Sequence, residues 1–309
     1  MTTPSFTPPP RRAIEQMLAP FVARHVRVAD PEWQALLVEQ GRLRRGRYWK
    51  RKLMPFRYTD AAFNVEMKGA YDKLWADYDF ERDLAPETNL SPIEWGETGY
   101  FANAAVTQRI QQIAMLHVLR QVRPGNVLEV GSGRGLNLLV LAGLLPGTAF
   151  TGLELTQSGV DATKAQTRLA ELPRGLDAFS IEPPLDRTAY QRVDVVQGSA
   201  AQLPFETGAF DLVYSRLALE QMEPIRRQAM AEMARVSRRY VLMVEPFREV
   251  NATGLRRHYI VGNNYFQGAI ADLGMHGLTP RLVFHDWPAK ITLKAALVLA
   301  EKTGGGGAA

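Results

Sequence analysis

Strand-like and helix-like apolar segments alternate along the chain from about residue 126 onward. Five short segments rich in Val, Leu and other apolar residues are typical of buried strands: 126–130, 149–154, 193–197, 210–215 and 239–244. Apolar segments with helical spacing lie between most of them, and this alternation predicts a parallel sheet with crossover helices. Two more strands are expected near 279–285 and 291–300, after a helix over about 265–273. The pattern therefore predicts a doubly wound, Rossmann-like α/β fold with a seven-stranded, mostly parallel sheet.

The first hundred residues follow a different pattern, in which helical signals dominate. Asp30-Pro31 is typical of a helix start, and Gly41 predicts where that helix stops. Residues 59–79 are predicted to be helical and residues 80–100 to form a loop, before a long amphipathic helix over 103–122. These features divide the chain into a mainly helical, basic N-terminal extension (1–102), an α/β domain (103–303) and a flexible tail (304–309).

Composition excludes several kinds of site. The chain contains no cysteine, which excludes disulfides, thiolate metal sites and a cysteine nucleophile. The five histidines are scattered and none pair at metal-ligand spacing, so we expect no metal site. The longest apolar stretch, Leu138 to Leu145, is too short to cross a membrane. The resulting expectation is a cytoplasmic enzyme.

The net charge of +5 is distributed unevenly. Residues 1–60 hold twelve Lys/Arg and five Asp/Glu, whereas the remaining residues hold 25 and 27. The basic residues concentrate between Arg42 and Lys52, where aromatic residues interleave with them. Such a segment suits nucleic acid, an anionic membrane surface or a phosphorylated substrate, and it is equally typical of a solvated helix face. No RNA-binding module accompanies it, so a small molecule is the expected partner and nucleic acid is kept as the runner-up.

The most informative segment is VLEVGSGRG at residues 127–135, where an apolar strand leads into a glycine-rich turn. Glycines allow a sharp turn and let a ligand lie against the main chain without Cβ clashes. In dinucleotide-binding loops the third glycine falls two residues later than it does here. Glu129 lies two residues before Gly131, and its carboxylate suits a ligand that carries an ammonium better than one that carries phosphates.

This segment resembles the loop of the class I S-adenosylmethionine-dependent methyltransferases, and the resemblance extends over about residues 105–302. It implies the Rossmann-like methyltransferase fold, with S-adenosyl-L-methionine as the cofactor. In that family an E/D-x-G-x-G-x-G loop holds the methionine part of the cofactor. The residues that this implies here are Glu129, Gly131, Ser132, Gly133 and Gly135.

Two further signatures of the family extend the implied cofactor site. Glu154 ends the next strand, 23 residues after Gly131, where the family has an acidic residue that bonds both ribose hydroxyls. The segments 198–205 and 208–215 resemble a small-molecule subgroup related to quinone-biosynthesis methyltransferases, in which an Asp bonds the adenine amino group. Ser199 replaces that Asp, which is expected to weaken the contact by about 1 kcal/mol. Ala200 supplies the next backbone N–H, and Ser215 completes the predicted set.

Two residues are candidates for a general base. Glu220 follows the fourth strand, where relatives contact the substrate; the alternative is a solvated charge in the first turn of a helix. His258 follows the strand that bears Glu245-Pro246 and is expected at the mouth of the site, with surface packing as the alternative. Gln221 stands where many relatives have His, and an amide cannot act as a base near neutral pH.

The leading hypothesis is methyl transfer to O, N or C of a small organic acceptor, with the N-terminal extension acting as a lid. An RNA methyltransferase that uses the basic segment is the first alternative. The second is a catalytically silent binding subunit with the methyltransferase fold, which Ser199 and Gln221 motivate and the intact glycine loop argues against. No sequence signature defines the acceptor or the oligomeric state.

Overall fold

The computed structural model describes residues 5–54, 69, 79–85 and 88–303. Within these ranges the helices are α1 (Arg11–Leu18), α2 (Pro31–Leu53), α3 (Phe80–Asp83), α4 (Val106–Val122), α5 (Leu136–Leu144), α6 (Gln157–Thr167), α7 (Arg174–Phe179), α8 (Arg226–Val236) and α9 (Gly254–Gly262). The strands are β1 (Val22–Arg27), β2 (Leu90–Trp95), β3 (Thr98–Asn103), β4 (Asn126–Val130), β5 (Ala149–Glu154), β6 (Asp194–Gln197), β7 (Phe210–Arg216), β8 (Ser237–Glu245), β9 (Leu278–Phe284), β10 (Ala289–Lys290) and β11 (Ala296–Lys302). Short 3-10 turns lie at Ala19–Phe21, Ala189–Arg192, Leu219–Gln221, Glu223–Ile225, Arg248–Val250 and Ile270–His276.

The larger sheet has seven strands in the order β6-β5-β4-β7-β8-β11-β9. The pairs from β6 to β8 are parallel, and β11 runs antiparallel to both β8 and β9. Apolar side chains cover both faces of this sheet: one cluster includes Ile110 and Leu139, and the other includes Met230 and Phe247. The predicted doubly wound, seven-stranded fold is confirmed. Because the order reverses between β4 and β7, the crevice at their carboxyl ends is the place where such sheets bind ligands.

A second, four-stranded sheet lies in the N-terminal part of the chain, in the order β1-β3-β2-β10. Its pairs are antiparallel, and β10 comes from the far end of the chain, with Ala289 opposite Glu94 and Lys290 opposite Ile93. Helix α2 packs on this sheet through the fully buried Trp33, whose ring is nearly perpendicular to that of Phe101, with the two centroids 5.6 Å apart. The extension was predicted as mainly helical, and its described residues combine helices with three strands.

Several predicted boundaries were wrong. Helix α2 does not stop at Gly41 but runs on to Leu53, because packing outweighs the cost of about 1 kcal/mol that an interior glycine carries. Residues 80–100, predicted as a loop, contain α3, β2 and part of β3. Pro92 pairs with β3 inside β2, and the two-residue β10 on the other side of β2 pairs only with Ile93 and Glu94. The long helix predicted from residue 103 begins at Val106, because Asn103 ends β3 and its side chain accepts from the Ala105 N–H at 2.6 Å.

Near the C-terminus the predictions were less accurate. Residues 265–273 do not form the predicted α-helix; a 3-10 turn at Ile270–His276 takes its place. The strand predicted over 291–300 is β11, which begins only at Ala296, while residues 289–290 join the smaller sheet. The helix predicted over 59–79 and the tail at 304–309 lie outside the described residues, apart from positions 69 and 79.

Candidate functional site

The glycine loop after β4 has the backbone conformation that its sequence predicts. Gly131, Gly133 and Gly135 have φ values of 76°, 56° and 75°, in the left-handed region that favours glycine. The N–H groups of Gly131 and Ser132 donate to the Leu153 carbonyl at 2.8 and 3.0 Å, which ties the loop to β5. A Cβ at Gly131 would lie 2.5 Å from the Cβ of Ala218, so the loop also packs closely against the segment after β7.

A cavity of about 780 Å³ opens at the carboxyl ends of β4, β5 and β7. This volume is typical of small-molecule sites, which range over roughly 300–1,000 Å³. Of the residues predicted to bind the cofactor or to act in catalysis, those that line the cavity are Glu129, Gly131, Ser132, Gly133, Glu154, Ser199, Ala200 and Glu220. The structure therefore brings together most of the predicted site.

Glu129 is the buried carboxyl group on the wall of this cavity. Its Oε1 accepts from the Asn137 amide at 2.7 Å, and its Oε2 is buried without a hydrogen-bond partner among the described residues. Burial raises the pKa of Glu129 to about 7, while Asn137, Tyr214 and the charge of Arg216 oppose that rise. The Tyr214 hydroxyl lowers the pKa of Glu129, although the two groups do not have the geometry of a hydrogen bond. A buried carboxylate oxygen with spare acceptor capacity is a natural site for a cationic donor.

An amide relay orients Glu129. Asn137, on α5, donates to Glu129 and accepts at its Oδ1 from Gln112 at 3.0 Å and from Gln108 at 3.3 Å. Asn137 and Gln112 are buried, so the relay connects the end of β4 to both α5 and α4. Sequence reasoning missed it; a buried Asn among the apolar residues of α5 and a buried Gln within α4 were the available signals.

Glu154 ends β5 and is buried at the edge of the cavity. Its Oε2 accepts from the Gly133 N–H at 2.9 Å, and its Oε1 accepts from the N–H and the hydroxyl of Thr156 at 3.0 and 2.8 Å. Because an ionised carboxylate offers about four acceptor sites, these three donors leave capacity for one more. Glu154 thus braces the glycine loop and also faces the cavity.

Ser199 and Ala200 follow β6 on the other side of the cavity. The Ser199 hydroxyl accepts from the Ala201 N–H at 3.2 Å, which holds the turn, and its own proton remains available as a donor. Ser199 is exposed and Ala200 is buried. The two residues lie at the end of β6, the strand next to β5.

Glu220 lies across the cavity, directly after β7. Its side chain is half-buried, yet Oε2 is itself buried and has no hydrogen-bond partner among the described residues, while Oε1 accepts from Gln221 at 2.8 Å. Burial raises the pKa of Glu220 to about 7; Gln221, Lys290 and Arg216 counteract this rise. A carboxyl group with a pKa near neutrality is suited to accept a proton at physiological pH.

A second buried carboxyl group, Glu245 at the end of β8, positions the segment that carries Glu220. Its Oε1 accepts from the N–H groups of Ala218 and Leu219 and its Oε2 from that of Glu220, each at 3.1 Å. Burial and, secondly, the charge of Glu220 raise the pKa of Glu245 to about 8. The pKa values of both acids are therefore above the ordinary range.

Three basic or phenolic residues complete the part of the cavity near Glu220: Arg216 from β7, Tyr259 from α9 and Lys290 from β10. Arg216 donates to Gln111 at 2.7 Å. The Lys290 side chain has accessible surface in the cavity, but the surrounding protein atoms lower its pKa and Glu220 counteracts that effect. None of the three was predicted, because each is far from the glycine loop in sequence and carries no local motif.

Three predicted site residues do not line the cavity. Gly135 lies behind the loop, where a Cβ would meet Thr163 at 2.6 Å, so its role is to let the turn pack. Ser215 is fully buried within β7 and interacts with Glu245. His258, on α9, packs against Tyr48 of α2 with ring centroids 4.8 Å apart and is not at the mouth of the cavity. The cause is the orientation of α9, which directs the neighbouring Tyr259 inward instead.

Comparison with known proteins finds a family match in this region. Residues 128–243, which span the strands from β4 to β8 and the glycine loop, match the family model for a methyltransferase domain.

Over this segment the chain matches a methyltransferase domain.

The curated relatives that match are phthiotriol/phenolphthiotriol dimycocerosates methyltransferases, for example that of Mycobacterium tuberculosis strain H37Rv. That protein is 31% identical over 112 residues, which are 36% of this chain and 33% of the relative. The match thus spans about a third of the length of these curated relatives.

Solved structures with a similar fold include an S-adenosylmethionine-dependent methyltransferase from Methanosarcina mazei, with a TM-score of 0.41 and 13% identity over 58% of this chain and 92% of that one. The [4+2]-cyclase SpnF has a TM-score of 0.43 and 17% identity over 62% of this chain and 82% of that one.

The described ranges contain no helix that is both long and apolar enough to cross a membrane. Within the same ranges, no group of three or more His, Asp or Glu side chains is arranged to hold a metal ion.

Proposed function

We propose that this protein transfers a methyl group from S-adenosyl-L-methionine to O, N or C of a small organic acceptor. The observation that carries the proposal is the buried Glu129 Oε2, which lies on the cavity wall without a hydrogen-bond partner among the described residues. A carboxylate of this kind matches the ammonium group of an amino-acid moiety. The methyltransferase domain that spans these residues supports the same reading.

The remaining residues of the crevice fit the rest of this cofactor. The glycine loop brings main-chain atoms to the cavity without side chains, beside Glu129, where the amino-acid part would lie. Glu154 has capacity for a ribose hydroxyl, and accepting both hydroxyls requires the Thr156 hydroxyl to release Oε1. Ser199 and the Ala200 N–H would face the adenine. Ser199 offers a neutral contact in place of a charged one.

When bound, the cofactor supplies a methyl group that is already activated on a sulfonium, so the protein has to align the acceptor and exclude water. We propose that Glu220 accepts the proton that an acceptor hydroxyl or ammonium must lose. Three observations support this role: the pKa of Glu220 is raised to about 7, its Oε2 has no hydrogen-bond partner among the described residues, and its side chain lines the cavity. Glu245 holds the backbone on which Glu220 sits and is therefore a positioning residue.

We further propose that residues 1–102 form a lid and substrate-selecting region over the methyltransferase domain at 103–303. Phe80 and Arg82 of α3 line the same cavity as the glycine loop, as does Asn89 just before β2. Residues from the extension and from the domain thus enclose one site, which supports a role in covering the acceptor.

The test uses purified protein, methyl-labelled cofactor and a cell extract separated into RNA, lipid and small-molecule fractions. We expect label in the small-molecule or lipid fraction, and loss of label with Glu154→Ala. Label found only in RNA would contradict the proposed acceptor class, and absence of cofactor binding would contradict the whole proposal.

With the acceptor identified, Glu220→Gln tests the proposed base. Loss of general-base catalysis typically lowers kcat by about 10²–10⁴-fold, and the rise in rate through about pH 7 should disappear. The matched control is Glu206→Gln, since Glu206 is exposed and does not line the cavity. An unchanged pH profile in Glu220→Gln would show that the proton leaves by another route.

A further inference from the structure

The basic helix α2 uses one side to pack against the rest of the protein. Trp33 is fully buried, the Tyr48 ring lies 4.8 Å from His258, and the Arg47 guanidinium donates to the Asn263 side chain at 2.6 Å. The Arg44 guanidinium lies 5.5 Å from the centre of the Tyr259 ring. Part of the basic segment is therefore engaged in intramolecular contacts with α9 and the turn that follows it.

The opposite side of α2 carries an unusual combination of exposed residues. Val38, Trp49 and Leu53 are 52%, 53% and 71% exposed, and all three are large apolar side chains. Arg42 and Arg45 are also exposed, and the spacing 38, 42, 45, 49, 53 places all five residues on one face of a helix. We call these five residues the outward face of α2.

Further exposed basic and apolar residues lie next to the outward face of α2. Lys50 and Lys52 are exposed beside it, and Leu43 is 57% exposed next to Lys50 on the helical wheel. In all, α2 contains seven Lys/Arg residues and two Glu residues, so its charge is strongly positive. Large apolar side chains in water next to clustered cations are typical of a helix that lies in a membrane interface.

The chemistry of the outward face distinguishes a lipid surface from a nucleic acid. Single-stranded nucleic acids bind aromatic platforms as well as cations, but Trp49 is the one exposed aromatic residue of α2, because Tyr48 packs on His258. Aliphatic side chains such as Val38 and Leu53 gain nothing from phosphates or from stacking on bases. An anionic bilayer offers acyl chains to the apolar residues and headgroups to the cations.

We propose that the outward face of α2 binds the surface of a membrane that contains anionic lipids. The charge distribution supports this partner, since residues 1–60 carry the excess of Lys/Arg while the rest of the chain carries 25 Lys/Arg and 27 Asp/Glu. An anionic surface therefore attracts the protein by its N-terminal region and orients it.

Docking by α2 has a consequence for the cavity. Arg44 of α2 lies over Tyr259, and the Tyr259 side chain lines the cavity. The helix that touches the membrane is thus one side chain away from the site. An acceptor that resides in the bilayer would have a short path into the cavity. Membrane binding goes beyond the proposed methyl transfer and does not depend on it.

The test is cosedimentation of the full chain, without cofactor or acceptor, with vesicles of phosphatidylcholine alone or mixed with phosphatidylglycerol. We expect binding to the mixed vesicles only, weaker at high salt. The variant R42S/R45S should bind about 30-fold more weakly, because each cation near an anionic surface contributes about 1 kcal/mol, or about fivefold in affinity. The variant W49S/L53S should also bind more weakly, at low and at high salt alike.

Two matched controls have the same chemistry elsewhere on the surface. Lys164 and Arg168 are exposed on or next to α6, and Leu185 and Met275 are 74% and 64% exposed. The double variants K164S/R168S and L185S/M275S should bind vesicles like the unmodified protein. Unchanged circular dichroism spectra and urea unfolding midpoints in all four variants show that each one is folded.

Three results would overturn the proposal. The first is absence of binding to phosphatidylglycerol vesicles at low salt. The second is equal loss of binding in the control variants, which would indicate non-specific charge or hydrophobic attraction. The third is tight binding of a single-stranded RNA oligomer that is abolished by R42S/R45S while vesicles fail to compete. Because no step of the assay involves methyl transfer, an inactive protein that still binds vesicles would leave this inference intact.

Discussion

The sharpest prediction concerns Glu129→Gln and the affinity for the cofactor. Glutamine keeps the shape of the side chain and can still accept from Asn137 at Oε1, so the amide relay and the fold are preserved. The substitution replaces the orphan Oε2 with an NH₂ group that cannot accept from an ammonium. The change therefore removes one interaction that the proposed function requires and little else.

The expected magnitude has two parts. A hydrogen bond to a charged group contributes about 1.5–3 kcal/mol, so Glu129→Gln should weaken binding roughly 10- to 150-fold where Glu129 is ionised. In the unmodified protein the pKa of Glu129 is raised to about 7 by burial, and the ammonium binds the ionised form. Below about pH 7 the affinity should therefore fall by up to tenfold for each pH unit, and Glu129→Gln should lack this dependence.

The assay is calorimetric titration with S-adenosylhomocysteine, which carries the same amino-acid group and undergoes no turnover. Titrations at several pH values below and above 7, in buffers with different ionisation enthalpies, count the protons released on binding. Glu206→Gln is the control, because Glu206 is exposed and does not line the cavity. The reasoning is refuted if binding releases no proton below neutral pH, or if Glu129→Gln binds within twofold of the unmodified protein.

Three further predictions address the loop, the adenine contact and the buried acids. Gly131→Ala should weaken cofactor binding more than tenfold, because its Cβ would lie 2.5 Å from that of Ala218 at a φ of 76°, whereas Gly147→Ala, with no atom within 4 Å, should bind normally in the same titration. Ser199→Asp should tighten binding about fivefold by restoring a charged acceptor beside the proposed adenine position; unchanged affinity would place the adenine elsewhere. The free energy of unfolding of the ligand-free protein, measured in urea, should fall as pH rises from about 6.5 to about 8. The three acids whose pKa values burial raises to about 7 or 8 bind protons more tightly when folded, whereas the histidines with lowered pKa values oppose this trend mainly near and below pH 6.5. A rise in stability over that window would contradict the assigned burial of these acids.

Much of the cofactor side of the site was predictable because its information is local. A strand followed by closely spaced glycines requires backbone with positive φ, and Gly131, Gly133 and Gly135 adopt it. Glu129 and Glu154 lie near the ends of adjacent parallel strands, and strands of this kind present their carboxyl ends at one edge. The strand pattern placed both residues near strand ends, and the resemblance to the methyltransferases implied that they share one site.

The acceptor side depends on contacts between distant segments, which local patterns do not encode. Arg216, Tyr259 and Lys290, none of them predicted, come from three separate elements, and Lys290 reaches the cavity only because β10 pairs with β2 of the N-terminal sheet. His258 and its neighbour on α9 illustrate the limit, since the sequence marks the segment but the packing of α9 on α2 decides which ring faces inward.

The sequence by itself determined the seven-stranded fold, the glycine loop and the two acids beside it, because strand–helix alternation and turn chemistry act over a few residues. Tertiary structure alone decided which groups are buried without partners. Burial raises the pKa values of Glu129, Glu220 and Glu245, and burial depends on the whole chain. The outward face of α2 has the same origin. Its basic residues are evident in the sequence, but only packing shows that Trp49 and Leu53 point to solvent while Tyr48 does not.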